Sequence, residues 1–332
     1  MLRVMVLGAR GQLGAEWMRA LAPAGYLPLG ITRSDLDAGL ADRNAIQSQL
    51  AGLFDRWQPA LVVNALAYTA VDRAESEPVL ARQVNGWFPA LLGREARGVP
   101  VVHFSTDYVF DGSKSGPYTE DDAPRPLSEY GASKLEGERG LLDVNARALV
   151  VRTSWVVGAS GQNFARTILR LACERSELRV VADQIGVPTP TGFLVQQILG
   201  QLRLPIAECT PVDPHKAVRS PAEPAAGATA PDLPTGLPTG LFHLVPSGQT
   251  SWHAYAQCVL GVAHQAEHWR LRLRVQPEAV VPLRTSGYPT AARRPANSRL
   301  DTLRWRTQTG QASLTGWQDA LVPVLAEMLE GG

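Results

Sequence analysis

Leu2-Arg3-Val4-Met5-Val6-Leu7-Gly8-Ala9-Arg10-Gly11-Gln12-Leu13-Gly14 decides the fold of this chain. A short apolar run passes directly into glycines, and a helical stretch from Ala15 to Ala24 follows. Strand, glycine turn and helix in that order form the entry unit of a doubly wound parallel sheet. The apolar run suits a buried first strand. Glycines at 8, 11 and 14 let the backbone approach a pyrophosphate, and the helix N-terminus supplies unpaired N–H groups and a favourable dipole. Their spacing is G-x-x-G-x-x-G, a variant of the more general G-x-G-x-x-G.

Further strands are expected at Leu27 to Ile31, Leu61 to Ala67, Val99 to Phe104 and Leu149 to Gly158. The second strand ends in Thr32-Arg33-Ser34-Asp35, with no acidic residue immediately at its end to grip ribose hydroxyls. Arg33 stands about where a 2′-phosphate would lie, which favours NADPH and leaves NADH open. Asp37 is placed to reach the adenine end of such a cofactor. The third strand runs into Tyr68-Thr69-Ala70-Val71-Asp72, where small residues just past the strand end let a flat ligand slide close. The predicted helical Asn85 is read as a structural tie.

In a doubly wound sheet the carboxyl ends of the strands face the ligand crevice. Thr106, in Ser105-Thr106-Asp107-Tyr108, is therefore placed to hydrogen-bond a substrate oxygen. Downstream, Tyr130-Gly131-Ala132-Ser133-Lys134 sets a phenol and an ammonium one helical turn apart on one face. An ammonium beside a phenol stabilises the phenolate, so the tyrosine can exchange a proton near neutral pH. The Tyr/Lys spacing arises by chance in many helices. Joined to a glycine turn and a threonine from a separate element, it becomes a catalytic candidate.

The chain has 332 residues, 45% hydrophobic and 19% charged, which suits a globular protein with a proper core. A net charge of +1 gives no reason to expect a nucleic acid partner. Three cysteines, Cys173, Cys209 and Cys258, fit neither a disulfide framework nor a zinc site. With no signal-peptide pattern and no apolar run long enough for a membrane span, the expectation is a cytoplasmic protein. Residues 1–152 are read as the nucleotide-binding domain, with a return near 160–182, and 153–332 mainly as a substrate lobe. The Pro/Ala-rich stretch 205–240 reads as a flexible or extended insertion. His264 and His268 have metal-ligand spacing but no third ligand, so surface histidines are expected and no metal is assigned. Arg293 and Arg294 could meet a diphosphate or stay solvated.

Taken together these stretches resemble one family, the dTDP-4-dehydrorhamnose reductases, which are extended short-chain dehydrogenase/reductases. The resemblance rests on Gly8 to Gly14, Val63 to Glu77 (VNALAYTAVDRAESE), Ser105 to Gly112 (STDYVFDG), Tyr130 to Glu138, Arg152 to Trp155, Asp183 to Thr189, Leu241 to Tyr255 and Tyr288 to Leu300 (YPTAARRPANSRL). It implies an α/β fold, a Rossmann-type sheet with a smaller α/β substrate-binding lobe. It also implies reduction of the C4 ketone of dTDP-4-dehydro-β-L-rhamnose. Tyr130 would donate the proton, Lys134 would lower the tyrosine pKa and hold the nicotinamide ribose, and Thr106 would hydrogen-bond the sugar oxygen. Gly11, Gln12 and Leu13 match the pyrophosphate loop, and Ala65, Leu66 and Ala67 the adenosine and ribose contacts. Thr106, Asp107 and Trp155 match positions lining the sugar nucleotide.

Some family members dimerise through magnesium, and Glu16 matches one of the acidic residues concerned. The second acidic cluster is replaced here by Gly192-Phe193-Leu194-Val195, so no metal-bridged dimer is expected. Monomer and homodimer both stay open. A dehydratase reading meets Tyr108 where the second carboxylate would stand. The remaining alternatives are reduction of another dTDP-4-keto-6-deoxy sugar and a non-catalytic NADP-binding regulatory subunit.

Overall fold

The computed structural model describes residues 1–202 and 236–330. Six parallel strands make the central sheet: β1 (Arg3–Leu7), β2 (Leu27–Ile31), β3 (Leu61–Asn64), β4 (Val101–Thr106), β5 (Ala148–Thr153) and β6 (Gly240–His243). Their spatial order is β2-β1-β3-β4-β5-β6. The chain steps outward from β1 to β2 and then returns past β1 to β3, so the order reverses beside β1. A crevice opens at such a switch point, outside the carboxyl ends of β1 and β3.

Alternate residues of each strand serve opposite faces. Val4 and Val6 pack with Trp17, Leu194 and Ile198 under α1 (Gln12–Leu21) and the helix Thr191–Leu199. Met5 and Leu7 pack with Ile46, Leu91 and Leu141, which lie on α2 (Arg43–Trp57), α3 (Phe88–Glu95) and α4 (Glu129–Val144). A second core joins α5 (Phe164–Glu174), α6 (Trp252–Gln265), α7 (Trp317–Glu330) and the parallel pair Leu178–Val181 with Val280–Leu283. Side-chain caps set several helix starts, as expected of Asp, Ser and Asn at those positions. Asp42 caps α2, Ser128 caps α4, Asn163 caps α5 and Ser251 caps α6.

Helix α1 begins at Gln12, earlier than the apolar periodicity suggests, because Gly11 is extended and the helix starts on the very next residue. Strand β5 stops at Thr153, before the sequence expectation of Gly158, since Trp155 takes a left-handed φ of 46° that no strand can continue. The sixth strand comes from Gly240–His243. The Pro/Ala-rich stretch up to residue 235, with Cys209, lies outside the described residues. No helix among the described residues is long and apolar enough to cross a membrane.

Candidate active site

The glycine turn closes where β1 meets α1. Gly8 has a φ of 76°, and a Cβ there would sit 3.0 Å from the Leu66 backbone. A Cβ on Gly14 would lie 2.1 Å from the Gly8 carbonyl oxygen. Both glycines are thus required by close backbone approach. No side chain caps α1 and no acidic residue occupies its first turn. Its leading N–H groups and positive dipole end are left for an anion.

A cavity of about 580 Å³ lies over this turn, walled by Gly8, Gly11, Arg10 and Arg33 on one side and by Ala65, Leu66 and Ala67 on the other. Asp37 lies on the wall as well, accepting from Arg33 Nε at 3.0 Å and from Gly39 N at 2.9 Å. Asp35 folds back to accept from Thr32 N and Oγ1, which holds its carboxyl below the usual range. Backbone donors, small residues and two guanidinium groups fit a nicotinamide dinucleotide. Gln12 and Leu13 lend the turn only their backbone. Leu13 packs on the sheet, while Gln12 Oε1 accepts from Gly158 N at 2.9 Å and Asn163 Nδ2 at 3.0 Å.

Thr106 ends β4, and its hydroxyl donates to Asp107 Oδ1 at 3.1 Å and accepts from Tyr108 N at 3.2 Å. Tyr130, in the first turn of α4, packs edge-on against Tyr108 with ring centroids 5.8 Å apart. Burial pushes the Tyr130 phenol up to about 12, the Asp107 carboxylate adds to this, and a hydrogen bond with Thr106 opposes it. Lys134 is buried one turn on, with Nζ donating to the Phe104 carbonyl at 2.6 Å. Burial pushes its ammonium down to about 8, against the pull of Glu138. The threonine and tyrosine therefore converge, while the lysine Nζ is anchored on the β4 carbonyl of Phe104.

Asp107 is buried and pushed up to about 7 by burial, with the Ser298 and Thr106 hydroxyls pulling the other way. Among the described residues its Oδ2 has no hydrogen-bond partner. The folded state thus keeps a proton that the unfolded chain releases above about 4, so this group costs stability as pH rises to about 7 and the full cost persists above it. We expect Asp107→Asn to be more stable than the parent above neutrality, by a few kcal/mol at most, and equally stable in acid. Urea titrations at both extremes of pH check this. A stability difference that does not change with pH would rule the account out.

Trp155 is held in its left-handed conformation by stacking on Trp252, with centroids 3.7 Å apart, and by Gly186, where a Cβ would come within 2.7 Å of the indole. The C-terminal loop is tied across the crevice. Asp72 accepts from Ala292 N at 3.0 Å and from both Arg294 terminal nitrogens, at 3.1 and 2.7 Å. Arg294 is therefore spent on Asp72, while Arg293 is exposed. Asn85 lies in a π-helical turn, Gln83–Trp87, a distortion common near functional sites. It holds Tyr68 N and O at 2.8 and 3.0 Å and Ser133 Oγ at 3.1 Å, joining the crevice loop to α4.

Sequence reasoning missed Ser298, Trp252 and Arg10. Ser298 stands inside the quoted C-terminal motif but carried no chemical signature of its own. His264 and His268 turn Nε2 to the carbonyls of Val275 and Leu329, and no three His, Cys, Asp or Glu side chains converge as a metal cluster among the described residues.

A family model described as the RmlD substrate binding domain matches residues 2–210 and 222–330. A Burkholderia thailandensis protein named dTDP-4-dehydrorhamnose reductase is 38% identical over 333 residues, 99% of each chain. The Escherichia coli K12 protein of that name is 37% identical over 330 residues, 98% of each chain. Among solved structures, the Clostridium acetobutylicum dTDP-4-dehydrorhamnose reductase superposes with a TM-score of 0.78 at 29% identity, covering 98% of this chain and 99% of that one. The Bacillus anthracis reductase, solved in complex with NADP, also gives 0.78, at 28% identity and covering 98% of this chain and 100% of that one. A switch-point crevice built for a nicotinamide dinucleotide, in a chain matched end to end by such relatives, places this protein in the dTDP-4-dehydrorhamnose reductase family of oxidoreductases.

Proposed function

We propose that this chain reduces the C4 ketone of dTDP-4-dehydro-β-L-rhamnose at Thr106 and Tyr130, with NADPH as the preferred reductant. The observation that carries the reading is the meeting of these two hydroxyls at the carboxyl end of β4, with the phenol held neutral. A reductase needs its acid protonated before the reaction, and a phenol raised to about 12 meets that need. The bound nicotinamide supplies the hydride. Thr106 orients the ketone oxygen, and Tyr130 donates its proton as charge develops there. Lys134 would offer its charge to the phenolate left behind and would hold the ribose of a bound cofactor. Trp155 and Asp107 bound the space for the sugar nucleotide. In this division of labour the six-stranded sheet holds the cofactor and the second core carries the sugar-binding wall.

Arg33 and Arg10 at the adenosine end, with Asp35 folded away, favour a 2′-phosphate. Nicotinamide absorbance with the keto-sugar tests substrate and cofactor together. Arg33→Ala should raise KM for NADPH roughly tenfold, the scale of one hydrogen bond to a charged group, and leave KM for NADH nearly unchanged. An equal rise for both would remove Arg33 from phosphate recognition. No turnover by a folded protein that binds NADPH would sink this substrate.

A further inference from the structure

Tyr130 and Lys134 are two steps of a longer ladder. Glu138 lies one further turn along α4, so the three side chains repeat at i, i+4 and i+8 on one face. Lys134 and Glu138 are each 2% exposed. The Glu138 carboxylate takes Arg152 Nε at 2.9 Å and Nη2 at 2.7 Å, in a two-pronged pair whose members are both buried. Strand register sets Arg152 beside Ser105, next to the Phe104 carbonyl that receives the lysine. One carboxylate thus lies between two buried cations.

The other groups around Lys134 do not replace it. On α4 the neighbours are Tyr130 and Glu138. From β4, His103 has its ring basicity lowered by burial and by the lysine's own charge, and its Nδ1 meets Asn64 at 3.0 Å. Asp107, just past β4, acts on Tyr130. From β5 comes Arg152, a second cation, with His243 beyond it pushed down to about 3 by burial. Glu138 is the anion that bears on the lysine.

We propose that Glu138 is a positioning residue for catalysis: clamped by Arg152, it keeps the buried Lys134 charged so that an ammonium stands by when Tyr130 gives up its proton. Without this carboxylate two cations face each other in the interior. Guanidinium does not deprotonate in proteins, so the lysine is the group that yields. Arginine at 152 therefore confers a fixed charge that lysine there would not. The proposal rests on Lys134 serving Tyr130 as described above.

The test is the pH profile of kcat under saturating NADPH and keto-sugar for the parent, Glu138→Gln, the double variant Glu138→Gln with Arg152→Met, and Lys134→Met. The double variant removes the stranded guanidinium and keeps the measurement possible if the single variant folds poorly. Both Glu138 variants should move the alkaline limb to lower pH, the single variant by about one unit, so kcat drops only about twofold at neutrality, approaches a roughly tenfold loss above the parent limb and recovers in mild acid. KM for NADPH should change little. A loss that is the same fraction at every pH, with the limb unmoved, would overturn the proposal and leave Glu138 a purely structural partner of Arg152. Lys134→Met distinguishes the underlying reading. If it retains the parent rate, the role of the lysine itself falls and this proposal with it.

Discussion

Tyr130→Phe is expected to lower kcat by about 10² to 10⁴-fold, the span that one positioned proton donor supplies. Only the hydroxyl is removed. The ring keeps its edge-on packing against Tyr108, and Thr106 keeps its bonds to Asp107 and to the Tyr108 amide. KM for NADPH should therefore stay near the parent value. The residual rate should show no limb attributable to the phenol, since solvent must then protonate the alkoxide. Steady-state turnover with the keto-sugar measures both quantities. A loss below about tenfold would mean that another group delivers the proton, and Asp107, held at about 7 in contact with Thr106, would be the first to examine.

Gly14→Ala should be among the most damaging single methyls in the nucleotide-binding half. The added carbon would lie 2.1 Å from the Gly8 oxygen, 2.8 Å from Gly8 C and 2.9 Å from the Ala9 Cα. All three are backbone atoms, so no rotamer change relieves the clash. Helix α1 must shift away from the turn, and its free N-terminus moves with it. We expect a loss of about 1–3 kcal/mol in stability, the usual cost of overpacking, and NADPH affinity weaker by roughly tenfold or more. Gly52 makes the control, because a Cβ on that exposed helical glycine meets nothing within 4 Å. Gly52→Ala should be neutral or slightly stabilising. Equal effects from the two would show that the turn tolerates displacement.

Much of this molecule was legible because its decisive signals are local. The passage from Leu7 through Gly14, the Tyr130/Lys134 pair and the exit of β4 into Thr106 each lie within a few residues. Periodicity and turn chemistry report such neighbourhoods well. That strand carboxyl ends face a crevice was read from the strand ends alone, and the parallel sheet agrees with it. What escaped the sequence depends on partners far along the chain. Nothing near Gln12 announces that its side chain turns to Gly158 and Asn163. Nothing near Ser298 says that its hydroxyl faces Asp107. Arg152 reads as a charge in an apolar run, and only the docking of α4 explains its burial. Spacing likewise gives proximity on a helix but not which acceptor a flexible side chain reaches: nothing in the repeat announces that Lys134 Nζ donates to the Phe104 carbonyl.

The position of β6 governs how the protein is made. Strands β1 to β5 all precede residue 154, yet the strand that covers β5 begins only at Gly240. At about 5–20 residues per second, the ribosome leaves the N-terminal sheet waiting several seconds for its last member. During that time β5 is an edge, and the hydrogen-bonding groups of Leu149 to Arg152 stand open to any passing strand. The register position that His243 fills beside Arg152 is then empty, so Arg152 stands on the open edge strand. The nascent chain thus carries charge at its most vulnerable edge, the same placement that mature sheet proteins use to discourage adhesion. A charge that lies in the interior of the finished protein is thereby expected to guard its edge during synthesis.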